Sequence, residues 1–157
     1  MSSPRDDLTE PQARAIIEPW YSMFNQPVRG NIAALHDKAV TPDYQSFTGD
    51  GAGESWGRDV SIKVISSFAT SIPDMKFEIK EVLVAGNRVI VRGEVSGTPA
   101  GALFGGLIPH SGKRFRIMAL DIQTIESGKI RKTYHMENGS RRLPNFGRSR
   151  LLAEQGT

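Results

Sequence analysis

Apolar residues recur every three to four positions over the first third of the chain, and every second position from about residue 75 onward. Ala13, Ile16, Ile17, Trp20, Tyr21 and Phe24 form one stripe of a predicted helix. Thr9 and Gln12 have capping-box spacing, and Pro11 falls in the first turn, where its missing N–H costs nothing. Pro19 is expected to kink this helix, because it cannot donate to the carbonyl one turn back. A second short helix is predicted over residues 31–38, with Ile32, Ala33 and Leu35, stopping before Pro42. A third is predicted over 58–70, after the Gly-rich stretch 49–57, presenting Val60, Val64, Ile65 and Phe68.

Strands follow. Residues 76–84 and 88–96 alternate, and Ala85-Gly86-Asn87 between them is a hairpin signal. Residues 113–126 read as a long strand and 130–137 as a shorter one, joined through Ser127-Gly128. Between the two hairpins, residues 97–112 hold five glycines, two prolines and the apolar Phe104, Leu107 and Ile108, a long loop with something to cover. Helices segregated from a run of antiparallel strands predict an α+β fold, a curved sheet wrapped against helices.

The last hairpin decides which polar side chains meet. A two-residue Ser127-Gly128 loop would pair Glu126 with Lys129 and put Asp121 on a face with Tyr134. A three-residue loop with Gly128 left-handed would pair Ile125 with Lys129, so that Asp121 faces Thr133 and His135 lies one diagonal away. Apolar patterning favours the second register. It gathers Met118, Leu120, Ile122, Ile130, Tyr134 and Met136 on one face, and Ala119, Asp121, Gln123, Thr133, His135 and Glu137 on the other.

Composition narrows the chemistry. The 157 residues suit one domain, with a core over about 9–138, a tail over 1–8 and a basic tail over 139–157. Cysteine is absent, which excludes disulfides, thiolate nucleophiles and zinc fingers; three histidines remain. The net charge of +3 is a C-terminal property: residues 128–157 hold seven Lys/Arg against two Glu, leaving −2 to residues 1–127. Nucleic-acid binding is therefore not expected, and a solvated tail is the plainer reading of the arginines. Residues 1–7 contain no apolar signal-peptide core, and no apolar run reaches 18 residues. A cytoplasmic protein without membrane association is the expectation.

From Ile17 to about Glu137 the chain resembles the SnoaL-like polyketide (ester) cyclases of the nuclear transport factor 2-like superfamily. The resemblance rests on several segments in order: Tyr21-Ser22-Met23-Phe24-Asn25-Gln26, Asp43-Tyr44 and Ile72-Pro73-Asp74-Met75-Lys76-Phe77. It continues through residues 85–92, then 105–113, then Asp121-Ile122 and 125–130. It implies a cone-shaped α+β barrel enclosing a cavity, a homodimer, a small-molecule substrate and no cofactor. Trp20, Tyr21, Phe24, Phe68, Arg92, Phe104, Leu107 and Glu137 are then expected to line the pocket. The characterised cyclases carry histidine at the position matching Asp121 and aspartate at the one matching His135, so this chain has the two types exchanged. Where the family tends to have Trp after the last strand, this chain has Asn138-Gly139-Ser140.

His135 and Asp121 are the candidate acid/base pair: imidazole alone titrates near neutrality and can take and return a proton, and Asp121 or Glu137 nearby would favour the imidazolium and orient the ring. A methylene flanked by carbonyls is already acidic, so a base and a polar partner suffice to form an enolate that closes a ring. The alternative is a ligand-binding or structural member of the fold, in which Asp121 and His135 only hold the hairpin together. His110 reads as an exposed turn residue, and His36 as a structural residue whose imidazolium suits the end of a helix. No spacing supports a metal site.

Overall fold

A computed structural model describes residues 7–48, 55–100 and 112–137, in which three helices cover one face of a six-stranded mixed sheet. Helix α1 (Glu10–Ser22) starts at the expected capping box: the Thr9 hydroxyl receives the Gln12 N–H, and the Gln12 side chain receives the Thr9 N–H at 2.9 Å. It runs on through Pro19, to whose carbonyl the Ser22 hydroxyl donates at 2.8 Å. Asn31 caps α2 (Ile32–Ala39), its side chain accepting from Ala34 N–H at 3.0 Å. Helix α3 (Arg58–Ser71) begins after Gly57, and the Arg58 guanidinium ties it to Asp37 of α2 at 2.6 and 2.8 Å.

The four predicted strands are present as β3 (Lys76–Ala85), β4 (Arg88–Gly97), β5 (Phe115–Glu126) and β6 (Lys129–Glu137). Two more precede them in the chain: β1 (Val40–Thr48) and the short β2 (Ser55–Trp56). Periodicity missed β1 because its inward residues include Tyr44 and Ser46, and because Thr41-Pro42-Asp43 reads as a turn. The ladder accommodates Pro42 by a register shift between Val40 and Gln45. The sheet order is β2-β1-β6-β5-β4-β3; β1 runs parallel to β6 and every other pair is antiparallel. The α+β expectation holds, with an open sheet whose edges are β2 and β3.

The inner face carries the core. On β4, Val89, Val91, Gly93 and Val95 point inward and are buried, while Arg92 points out. They pack with Ile17, Tyr21 and Ile65 from the helices, Phe77 from β3 and Met75 from the turn before it. No helix among the described residues is long and apolar enough to cross a membrane.

The last hairpin corrects the expected register. Its loop is two residues, Ser127 and Gly128, both with positive φ (52° and 71°), as a type I′ turn requires. Glu126 therefore pairs with Lys129 and Ile125 with Ile130, but the register then shifts and Thr124 pairs with Lys132. Arg131 is the extra residue of a bulge, anchored to Asp43 and Glu126 at 3.1 Å each. The bulge restores the inward set Ala119, Asp121, Gln123, Thr133, His135 and Glu137, but moves each partner by two positions. Asp121 faces His135, not Thr133. Ile130, before the bulge, is fully buried instead of lying on the outer apolar face.

Candidate active site

A cavity of about 300 Å³ lies between the helices and the inner face of the sheet. Its walls are mostly aromatic and aliphatic, with Trp20 and Tyr21 from α1 and Phe24 just beyond its end, Val64, Ile65 and Phe68 from α3, and Phe77 and Val95 from the sheet. The polar end is built by β5 and β6 through Asp121, Thr133, His135 and Glu137. These side chains converge because antiparallel neighbours stand directly opposite each other, and residues two apart on one strand share a face.

His135 Nδ1 lies 2.5 Å from Asp121 Oδ1, and His135 Nε2 lies 2.9 Å from Glu137 Oε1. Burial alone would push the imidazole down. The hydrogen bonds to Asp121 and Glu137, together with their charges, outweigh it and raise the His135 pKa to about 10. The ring is therefore an imidazolium at neutral pH, with both N–H groups donating to carboxylates.

Asp121, whose side chain is only 3% exposed, is held from its other side as well. The Tyr21 hydroxyl donates to Asp121 Oδ2 at 2.6 Å, and Gln123 Nε2 donates to the Tyr21 oxygen at 3.0 Å. Thr133 donates to Gln123 Oε1 at 2.6 Å, and Tyr44 donates to Thr133 at 2.9 Å. Burial, and for Tyr21 the nearby Asp121 charge, push both phenols above their ordinary value. Each keeps its proton, so the chain of donors runs one way, from Tyr44 through Thr133, Gln123 and Tyr21 into Asp121. Every group in this buried network has a partner, which makes Asp121 a fixed acceptor.

Of the residues expected at the site, the structure brings together His135, Asp121, Glu137, Trp20, Tyr21, Phe24 and Phe68 around the cavity. Arg92 is a correction: it lies on the outer face, where its guanidinium pairs with Glu81 at 2.9 Å, because inward positions on β4 are odd-numbered. Phe104, Leu107 and His110 lie outside the described residues. His36 has the expected structural place but not the expected charge: it is fully buried between the Trp20 and Tyr44 rings, at 5.8 and 5.6 Å between centroids, where an imidazolium is disfavoured. Burial pushes its pKa below 6.5.

Sequence reasoning missed Tyr44, Ser46, Trp56 and Ser61. The first two stand two apart on a strand hidden by polar inward residues; no sequence signal distinguishes Trp56 or Ser61 from ordinary core and surface positions. Among the described residues no group of three or more His, Asp or Glu is arranged to hold a metal ion.

Known proteins place this geometry in a family. The SnoaL-like polyketide cyclase family model matches residues 20–143. No curated protein sequence matches the chain. Among solved structures, TsrD from Streptomyces laurentii is similar with a TM-score of 0.71 and 23% identity, over 90% of this chain and 98% of that one. IdmH from Streptomyces antibioticus, a proposed polyketide cyclase, has a TM-score of 0.67 and 20% identity, over 82% of this chain and 94% of that one. A Catenulispora acidiphila protein with a ketosteroid isomerase-like fold, in complex with trimethylamine, has a TM-score of 0.59 and 16% identity, over 77% of this chain and 83% of that one. At these identities the structures share the fold; the family match over most of the length carries the assignment. This chain belongs to the SnoaL-like polyketide cyclase family.

Proposed function

We propose that this protein is an acid/base enzyme of the cyclase type, acting on a small carbonyl-rich, polyketide-like substrate by proton abstraction and intramolecular aldol ring closure. The observation that carries this reading is a histidine ring held between two carboxylates at the polar end of an otherwise apolar cavity.

The charge state assigns the roles differently from the sequence expectation. His135 enters as an acid, and the base is Glu137, the more exposed carboxylate at 41% against 3% for Asp121. Glu137 takes a proton from the carbon beside a carbonyl, and the His135 Nε2–H stabilises the enolate oxygen. The enolate carbon then bonds to a second carbonyl carbon of the same molecule, whose oxygen becomes an alkoxide and takes the Nε2 proton. Glu137 returns its proton to Nε2, 2.9 Å away in the resting site. No atom is gained or lost overall. Asp121 keeps the Nδ1–H throughout, which fixes the ring and leaves Nε2 as the exchanging nitrogen.

Exchange of the protons beside the carbonyl of 2-tetralone in D₂O, followed by NMR, tests the first step without knowledge of the natural substrate. The wild-type protein is expected to accelerate exchange, and His135→Gln and Glu137→Gln to lose that acceleration about 100-fold or more. Equal exchange in all three proteins, or none above background, would favour a ligand-binding role instead.

The reading includes a homodimer through the outer face of the sheet. Phe47, Tyr134, Ile122, Ile90 and Leu83 are successive cross-strand partners, forming an apolar row across five strands. Tyr134, Ile122 and Leu83 are 43%, 36% and 52% exposed, and Met118, Leu120 and Met136 widen the patch. Lys132, Arg92 and Glu81 put both signs of charge beside it. Such a patch can meet itself about a two-fold axis, each basic group facing the partner's acidic one.

A further inference from the structure

Ser61 sits in the cavity wall with a hydroxyl that no group among the described residues satisfies. The residue is 3% exposed, and its Oγ is buried without a hydrogen-bond partner. Other hydroxyls of the helices behave differently. Ser67 donates to the Val64 carbonyl at 2.6 Å, Thr70 and Ser71 to the Ser67 carbonyl at 3.1 and 2.8 Å, and Ser22 to the Pro19 carbonyl at 2.8 Å. Backbone carbonyls are the ordinary outlet for a helical serine. Ser61 does not use one. Buried polar groups are almost always paired, so an unpaired one lining a cavity marks a place where something else supplies the bond.

We propose that Ser61 is a second polar anchor for the ligand, hydrogen-bonding an uncharged carbonyl or hydroxyl oxygen remote from the carbon that reacts at His135; this rests on the proposed acid/base reading of the site. Ser61 belongs to the helix layer and His135 to the sheet layer, so a ligand that touches both is held across the cavity and cannot slide along its apolar walls. The oxygen is uncharged because the neighbours of Ser61 on α3 are Val64 and Ile65, and His135 is the only cation among the described lining residues. Its charge is already balanced by Asp121 and Glu137. A carboxylate placed at Ser61 would meet no counter-charge, whereas a ketone or phenol needs only the single hydrogen bond the serine offers. The substrate class that follows is a largely apolar molecule with two oxygen functions, one for each anchor. The hydroxyl can donate or accept, so it serves a carbonyl or a hydroxyl at that end equally.

Binding of 1,5-dihydroxynaphthalene and of 1-naphthol, measured by fluorescence titration, isolates the second oxygen. The wild-type protein is expected to bind the diol about tenfold more tightly, the worth of one buried hydrogen bond. In Ser61→Ala the preference should vanish while 1-naphthol affinity stays unchanged. The same variant should melt no lower than wild type, since it loses an unpaired buried hydroxyl and gains helix propensity; a structural serine would lower the melting temperature. Retention of the diol preference in Ser61→Ala, or absence of any preference in the wild-type protein, would overturn the proposal. Because the readout is binding, it separates from the acid/base reading. His135→Gln should abolish exchange of 2-tetralone, while Ser61→Ala should still weaken diol binding in the His135→Gln background; no effect of Ser61→Ala there would also overturn the anchor.

Discussion

His135 Nδ1 stands 2.5 Å from Asp121 Oδ1, directly across the β5–β6 ladder, while Nε2 of the same ring reaches Glu137 at 2.9 Å. This juxtaposition exists because of the Arg131 bulge, which brings the imidazole opposite the carboxylate instead of one diagonal away. Asp121 in turn is buttressed by Tyr21 and, through it, by Gln123. Replacing Asp121 by Asn keeps the shape and removes a charge. The His135 pKa should then fall from about 10 toward its ordinary 6.5, as followed by NMR titration of the imidazole C–H signals. A shift of less than one unit would show that Asp121 does not set the charge state.

The same raised pKa has a consequence for stability. Its contribution is fully present below pH 6.5, declines as the solution rises from there, and is lost above about pH 10. Urea unfolding midpoints of the wild-type protein should therefore fall between pH 7 and pH 10. His135→Gln should flatten that decline, because it removes the group whose proton is lost.

His36 predicts the opposite limb. It is fully buried, and neither ring nitrogen has a hydrogen-bond partner among the described residues. Trp20 of α1 and Tyr44 of β1 face it with their rings, and the charged groups that act on it are Asp37 of its own helix and Arg58 of α3. Burial is the largest influence and pushes its pKa down, with Arg58 adding to the effect and Asp37 opposing it. The unfolded chain binds a proton near pH 6.5 that the folded one refuses, so stability is present above 6.5 and lost as the pH falls below it. His36→Leu should remove much of the acid-side loss between pH 6.5 and 5, measured by thermal unfolding at each pH. An unchanged acid limb would place the loss in other groups.

Much of this site was legible in the order of residues along the last two strands. Alternation put Asp121, Gln123, Thr133, His135 and Glu137 on one face; four of them form the polar end of the cavity, and Gln123 joins the buried network behind it. The pairing across the strands was not legible. A frame change of one residue can be placed in the turn or in a bulge with the same alternation, and only the positive φ of Ser127 beside Gly128 places it in the bulge. Strand β1 was hidden for a related reason: Tyr44 and Ser46 face inward as polar members of the network, so the period-two pattern that reveals strands is absent there. Arg92 was misassigned because its sheet face depends on the neighbouring strands, and the outer face of this sheet is as apolar as many cores.

That outer face supports a test of assembly. Ile122 lies midway along the row between Tyr134 and Ile90, and Lys there would place an unpaired charge at the middle of the proposed contact. Ile122→Lys should run as a monomer in analytical ultracentrifugation at concentrations where the wild-type protein is a dimer. Because Ile122 points away from the cavity, the imidazole titration of His135 should be unaltered. A monomeric wild-type protein would remove the homodimer from the reading.

Gly93 tests how the cavity is sized. A Cβ on this residue would fall 2.3 Å from Cε1 and Cζ of Phe77 and 3.3 Å from the Glu78 carbonyl oxygen. The Phe77 ring is not free to yield sideways: it packs on Tyr21 at 4.5 Å and on Phe24 at 6.2 Å between centroids, and it is 8% exposed. The open direction is the cavity it lines. Gly93→Ala should therefore push the ring inward, disturb Tyr21 where it holds Asp121, and cost about 1–3 kcal/mol in urea unfolding. Binding of 2-tetralone should weaken in the same variant, since the ring takes volume from the ligand. The double variant Gly93→Ala with Phe77→Leu removes the colliding atoms, so it should regain stability relative to Gly93→Ala alone. Additive losses in the double variant would mean that glycine is required at position 93 for some reason other than the ring beside it.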